Sequence, residues 1–216
     1  MAAAALPIER WYVNTLLFAG GTVVAQLGTS ATAAYAFARL RFPGRDQVFT
    51  VVLALLTVPA LVLLAPRFLM IDALGWVDTY PGLISTELVS VWGIVLLRQF
   101  FLSLPRDLED AARVDGAGEW TIFWRVVLPL SKPALAAFGV VAFAEQWKSF
   151  LWPLVVLRSA DRQVLEVGIA QAHGVYHGNW PYQLDVALVA ALPLLILYAV
   201  ARRWFVRGIE ATLPSS

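Results

Sequence analysis

Glu145, Gln146, Trp147, Lys148 and Ser149 set an acid, an amide, an indole, an amine and a hydroxyl side by side in a stretch otherwise made of Ala, Val, Phe and Leu. Such a set can hydrogen-bond a polar solute, or it can neutralise itself, because Glu145 and Lys148 meet on one helical face at a spacing of three. An ionised group in an apolar medium is costly unless it is paired or wetted. Two readings therefore stand side by side: a wall of a solute path completed by Trp147 and Phe150, or an ion pair buried against a neighbouring helix. Glu87 is the other acid in such a place, and it either lines the same path or reaches out to the interface. Trp76 and Trp92 can stack on a sugar face, or anchor the chain at a membrane border as tryptophan commonly does.

Catalytic chemistry has no foothold. No phosphate-cradling Gly-x-x-x-x-Gly-Lys-Ser/Thr loop, His-Glu-x-x-His zinc motif or Gly-x-Ser-x-Gly elbow occurs, the only lysines are Lys132 and Lys148, and cysteine is absent. His173 and His177 are four apart, but Gly174 and Gly178 weaken a helix there and no carboxylate completes a metal set. No catalytic residue, metal site or cofactor of its own is expected in the chain.

The elements that must position these residues are membrane helices. With 60% hydrophobic and 14% charged residues, the chain is too apolar for a soluble domain of 216 residues. A net charge of +1 argues against a nucleic-acid partner. Stretches 11–37, 48–65, 83–101, 134–157 and 184–205 are each long enough for a span of about 20 apolar residues. Gly21, Ala25, Thr29 and Ala33 give the first a small-residue face for close helix packing, and Pro59 and Pro193 predict kinks. Arg39, Arg41 and Arg45, then Arg98, Arg106, Arg113, Arg125 and Lys132, then Arg202, Arg203 and Arg207 all fall on one side. The positive-inside rule puts that side, with the C-terminus, in the cytoplasm.

Residues 105–133 form the one long polar stretch between apolar segments. Pro105 at a first helical position, Asp107 and Glu109 in the first turn and Gly116 as a left-handed stop predict a helix over 105–115. Trp120, Phe123, Trp124 and Val127 then make one apolar stripe, ended by Pro129, of a second helix lying along the membrane.

Asp110-Ala111-Ala112, Gly116, Val126 and Leu128-Pro129 together resemble the EAA loop of permease subunits of binding-protein-dependent ABC importers. The longer runs through Asp115-Gly116-Ala117 and Leu128-Pro129-Leu130-Ser131-Lys132-Pro133 are similar to the carbohydrate-uptake branch, close to the smaller maltose-type subunit. Asp110 stands where the family has Glu, and Lys148 where it has Asn. The resemblance runs from about Trp11 onward and implies an all-α integral membrane protein. The family usually has six spans, of which five are expected here, the first having no counterpart. It further implies a single permease domain over 1–216, with 105–133 as the helix-turn-helix that couples to a separate ATPase dimer carrying Mg-ATP. A second permease subunit in a heterodimer, an extracytoplasmic solute-binding protein facing loops 67–81 and 158–183, and a bacterial or archaeal inner membrane complete the expectation. The solute is then a sugar or sugar derivative. A permease for a non-sugar solute, or a membrane scaffold that transports nothing, is the alternative.

Overall fold

The computed structural model describes residues 7–175, 184 and 187–200. Its first helix, α1 (Ile8–Arg39), has no interior proline, carries Glu9 in the first turn and Arg39 in the last, and so suits its own dipole at both ends. Then follow α2 (Arg45–Ala54), α3 (Leu64–Ala73), α4 (Tyr80–Ser85), α5 (Val91–Ser103), α6 (Asp107–Val114), α7 (Glu119–Leu130), α8 (Lys132–Trp147), α9 (Leu151–Val156), α10 (Leu165–Val175) and α11 (Ala187–Val200).

Only α1 is by itself long and apolar enough to cross a membrane among the described residues. The helices are interrupted within the stretches 48–65, 83–101 and 134–157. Proline and serine explain the breaks. Val58 is extended ahead of Pro59, as the pyrrolidine ring requires, so the expected kink is a full interruption. Ser90 is extended and its hydroxyl accepts from the Gly93 amide, which starts α5 afresh. Pro153 has no N–H for the Ser149 carbonyl and would crowd it, so α8 stops at Trp147 and residues 148–150 are non-helical. Residues 201–205 of the fifth stretch, and Arg202, Arg203 and Arg207, lie outside the described residues.

The chain divides into two compact units, to both of which α1 contributes. In the unit made of Met1–Val24, Ala60–Leu88 and Ala142–Val200, an apolar core gathers Phe18, Ile71, Leu83, Trp152 and Val156. Asn14 is fully used there: its amide donates to the carbonyls of Asp161 (2.9 Å) and Gln163 (2.8 Å), and its carbonyl accepts from the Tyr80 hydroxyl (2.7 Å). The other unit, Ala25–Pro59 and Val89–Val141 among the described residues, contains the 105–133 loop.

The packing face of α1 is not the expected one. Gly21 and Thr29 are exposed, while Asn14, Phe18, Thr22, Gln26 and Ser30 form the buried stripe. Polar residues spaced by four in a membrane-length helix were the signal to follow.

Candidate functional site

The 105–133 loop folds much as its residue types dictate. Helix α6 begins behind Arg106 with Asp107, Glu109 and Asp110 in its first turn, and ends at Gly116 with φ 82°. There the Gly116 and Ala117 amides donate to the Arg113 and Ala112 carbonyls. The helix is inside out for a soluble protein: Glu109 is 2% exposed, whereas Leu108 is 48% and Val114 88% exposed. Ala111 opens to solvent on the same side, and Ala112 is half-buried.

Glu109 is buried because Arg39, from the last turn of α1, reaches it. Arg39 Nε lies 2.8 Å from Glu109 Oε1, both side chains almost wholly out of solvent. The contact is close but off the hydrogen-bond line, so charge rather than directional bonding holds it. Arg39 Nη2 donates to the Leu104 carbonyl at 2.8 Å. Arg113 gathers the other carboxylates, bonding Asp110 at 2.7 Å and Glu119 at 3.0 Å. Glu119 in turn accepts from the Tyr35 hydroxyl at 2.6 Å. Hydrogen bonds from Arg113, then from Tyr35, hold the Glu119 carboxyl below its ordinary range. Two acids of the loop are thus tied to two residues on the last turns of α1. The sequence reading counted Arg39 and Arg113 only as topology-setting charge and missed Tyr35 altogether; the signal available was a tyrosine and an arginine one helical turn apart at the polar end of a span.

The second helix departs from the expected single stripe. Residues 123–127 take a π-helical turn, which advances side chains by less per residue than an α-turn. Phe123 and Val127 are buried while Trp120 and Trp124 are more than half exposed. Val126 and Leu128 are half-buried and Pro129 exposed. Helix α8 leaves at 76° to α7, with the buried Ser131 hydroxyl donating to the Val127 carbonyl at 2.7 Å.

The 145–149 cluster does not form the ion pair that its spacing allows. Glu145 and Lys148 are both exposed, and although the Lys148 amide still donates to the Ala144 carbonyl at the end of α8, no ion pair joins the two side chains. Trp147 is buried, its indole donating to the Ala190 carbonyl at 3.1 Å, and Phe150 is 39% exposed. Glu166 on α10 has its carboxyl pushed up by burial, with Lys148 pulling against that shift. Glu87 does not reach freely to an interface: it pairs with Arg67, whose guanidinium lies 4.2 Å over the Trp152 ring. Trp76 and Trp92 are each about two-fifths exposed. His177 and the side chain of His173 lie outside the described residues.

Asp78 ties parts of the two loops expected to face outward. Its backbone has φ 59°, and its carboxylate accepts from the Arg158 and Ser159 amides, both at 3.0 Å, and from the Ser159 hydroxyl, with Arg162 alongside. Burial pulls its pKa up, but these bonds and the Arg162 charge outweigh it, and the net direction is down. A carboxylate with a depressed folded pKa contributes stability above its unfolded value of about 3.9 and loses it as pH falls through the folded value. We predict that Asp78→Asn loses thermal stability near neutrality and narrows its gap to the parent below about pH 4. Melting curves across that range check it, and a gap that stays constant or widens in acid contradicts it.

The described residues are helical, with breaks, and carry an inside-out amphipathic hairpin between α5 and α8. Residues 27–211 match the family described as binding-protein-dependent transport system inner membrane component, and the chain belongs to that family. The chain is 35% identical over 200 residues to the arabinooligosaccharides transport system permease protein AraQ of Bacillus subtilis, covering 93% of this chain and 71% of that one. It is 33% identical over 207 residues to the sn-glycerol-3-phosphate transport system permease protein UgpE of Brucella abortus, covering 95% and 73%. Among solved structures, a chain from a bacterial ABC transporter that imports the acidic polysaccharide alginate superposes with a TM-score of 0.81 at 25% identity, covering 94% of this chain and 76% of that one. The protein is therefore a membrane permease subunit of an importer, as its resemblance implied.

Proposed function

We propose that the chain forms half of the translocation path of an ATP-driven importer for a sugar or sugar derivative and couples to a separate ATPase dimer through residues 105–133. The carrying observation is α6, which buries Glu109 and presents Leu108, Ala111 and Val114 outward. A helix with its apolar side turned out needs a partner surface, and the partner in this reading is the ATPase, where Mg-ATP is hydrolysed. Asp110, Ala111, Ala112, Asp115 and Gly116 form the docking hairpin, with Val126, Leu128 and Pro129 in its second arm. The sugar class is supported by relatives named for arabinooligosaccharides and sn-glycerol-3-phosphate and by the alginate importer. A second permease subunit and an extracytoplasmic binding protein complete the assembly, with the permease domain crossing the membrane five times and its C-terminus in the cytoplasm. Glu145, Trp147, Lys148, Phe150 and Glu87 are the candidates for the solute path.

Purification of the tagged chain from its native membranes, with mass spectrometry of what accompanies it, tests the assembly. Recovery of an ATPase, a second permease and a solute-binding protein supports it, and the ligand held by that binding protein names the solute; unrelated partners overturn it. Gly116 tests the coupling. An added Cβ there meets open space, so any effect comes from the backbone, where a left-handed conformation costs an L-residue about 1–2 kcal/mol. Gly116→Val is expected to abolish uptake while the subunit still inserts, whereas Gly116→Asn, which tolerates that conformation, keeps most of it. Normal uptake by Gly116→Val contradicts the role of the bend.

A further inference from the structure

Beside the coupling hairpin lies a cleft of about 610 Å³ whose lining includes Arg39, Arg41, Arg106, Arg113 and three acids, Glu109, Asp110 and Glu119. Those acids already have partners: Glu109 pairs with Arg39, and Arg113 is shared among Glu109, Asp110 and Glu119. Arg41 and Arg106 are exposed and have no carboxylate within ion-pair distance among the described residues. Arg41 and Arg106 thus stand at the rim without an acid partner, and with them the four arginines of the cleft outnumber its three acids, a net positive charge that suits a phosphate group.

The same helix bears a second, apolar recess. Leu27, Gly28, Ala31 and Thr32 of α1, Phe123, Trp124 and Leu128 of α7 and Leu135 bound a groove of about 230 Å³. At 100° per residue, Gly28, Thr32 and Arg39 fall within about 40° of one another around α1, so groove and cleft open along one side of it. At about 1.5 Å per residue, the axial step from Thr32 to Arg39 at the end of α1 is roughly 10 Å, with Arg41 just beyond it. Between them, Phe123 packs on Tyr35 at 5.0 Å, and Tyr35 bonds Glu119, a wall shared by both recesses. Trp120 and Trp124 stand exposed on this side of α7, as aromatics do at the headgroup level.

From the order on this side, an apolar groove along α1 and then, past its end, the unpaired guanidinium groups of Arg41 and Arg106, we infer that this side of the subunit binds an anionic phospholipid. Its acyl chain lies in the Gly28–Trp124 groove and its phosphate meets Arg41 and Arg106. A carboxylate from a soluble partner would satisfy the cleft and leave the groove empty. A free phosphate would do the same. A phospholipid fills both.

The test uses the assembled membrane complex, exchanged in neutral detergent against equal amounts of phosphatidylglycerol and phosphatidylcholine, washed, and analysed for retained lipid by mass spectrometry. The parent is expected to retain phosphatidylglycerol preferentially. Arg41→Gln/Arg106→Gln should lower that preference by on the order of tenfold, each cation near a membrane surface being worth severalfold in binding. Arg41→Lys/Arg106→Lys should keep most of it. Gly28→Leu, whose side chain enters open space, should reduce retention with the cleft intact. Equal retention of the two lipids by the parent, or parent-like retention by both the glutamine pair and Gly28→Leu, overturns the inference. Inorganic phosphate that binds the parent and Gly28→Leu alike, without retained phosphatidylglycerol, identifies a free phosphate site instead. Loss of the ATPase from the glutamine pair with unchanged lipid identifies a protein contact, and likewise overturns it.

Discussion

Glu109→Ala is expected to destabilise the subunit by about 3–5 kcal/mol, because it leaves the Arg39 guanidinium buried without its counter-charge. Arg39 has one other anchor, the Leu104 carbonyl, which cannot neutralise it. The loss should appear as a large fall in melting temperature in detergent and as reduced amounts in the membrane. Arg39→Met/Glu109→Met removes both charges and should regain most of the stability, since a buried pair exchanged for apolar side chains is often neutral or better. Uptake separates stability from coupling. If the pair links the end of α1 to α6 so that they move together, the double methionine variant is stable and still transports poorly. Full transport by that variant would reduce the pair to packing, and a stable Glu109→Ala would show that water reaches the site.

The 105–133 hairpin was legible because its instructions are local. The acids of the first turn and Gly116 fix a short helix and its stop within a dozen residues, and the structure has it at Asp107–Val114 with Gly116 left-handed; Pro105, expected at a first helical position, instead lies just before the Arg106 cap. At Pro59 the expected kink is a full stop, and at Pro153 hydropathy saw only the apolar stretch and missed the break. The π-turn at 123–127 was invisible, since nothing in Phe-Trp-Arg-Val-Val demands it. Ion pairing failed in both directions for one reason: partners are chosen by the fold. Glu145 and Lys148 had the spacing of a pair but stand exposed at the end of α8 without forming one, whereas Arg39 and Glu109, 70 positions apart, had no local signal to connect them.

The crossing of α5 with α8 carries the second large effect. A Cβ on Gly93 would lie 2.2 Å from the Phe138 ring, well inside contact distance, and Phe138 is 1% exposed with no room to withdraw. The ring also packs against Trp92, with centroids 5.8 Å apart, so moving it disturbs a second aromatic. Gly93→Ala is therefore expected to cost about 1–3 kcal/mol, the usual range for overpacking, and Gly93→Val more. Phe138→Ala alone should cost about 3–5 kcal/mol through the cavity it opens. The two errors offset each other in space. Gly93→Val/Phe138→Ala should be more stable than the sum of its single variants predicts, by on the order of 1–3 kcal/mol, the coupling expected for residues in direct contact. Melting temperatures of the four proteins in one detergent decide it. Strict additivity would mean that α5 and α8 can slide apart at Gly93 without loss. A measured coupling would mean that the absence of a side chain at this position sets how closely the two helices approach, immediately beyond the Ser90 cap that starts α5.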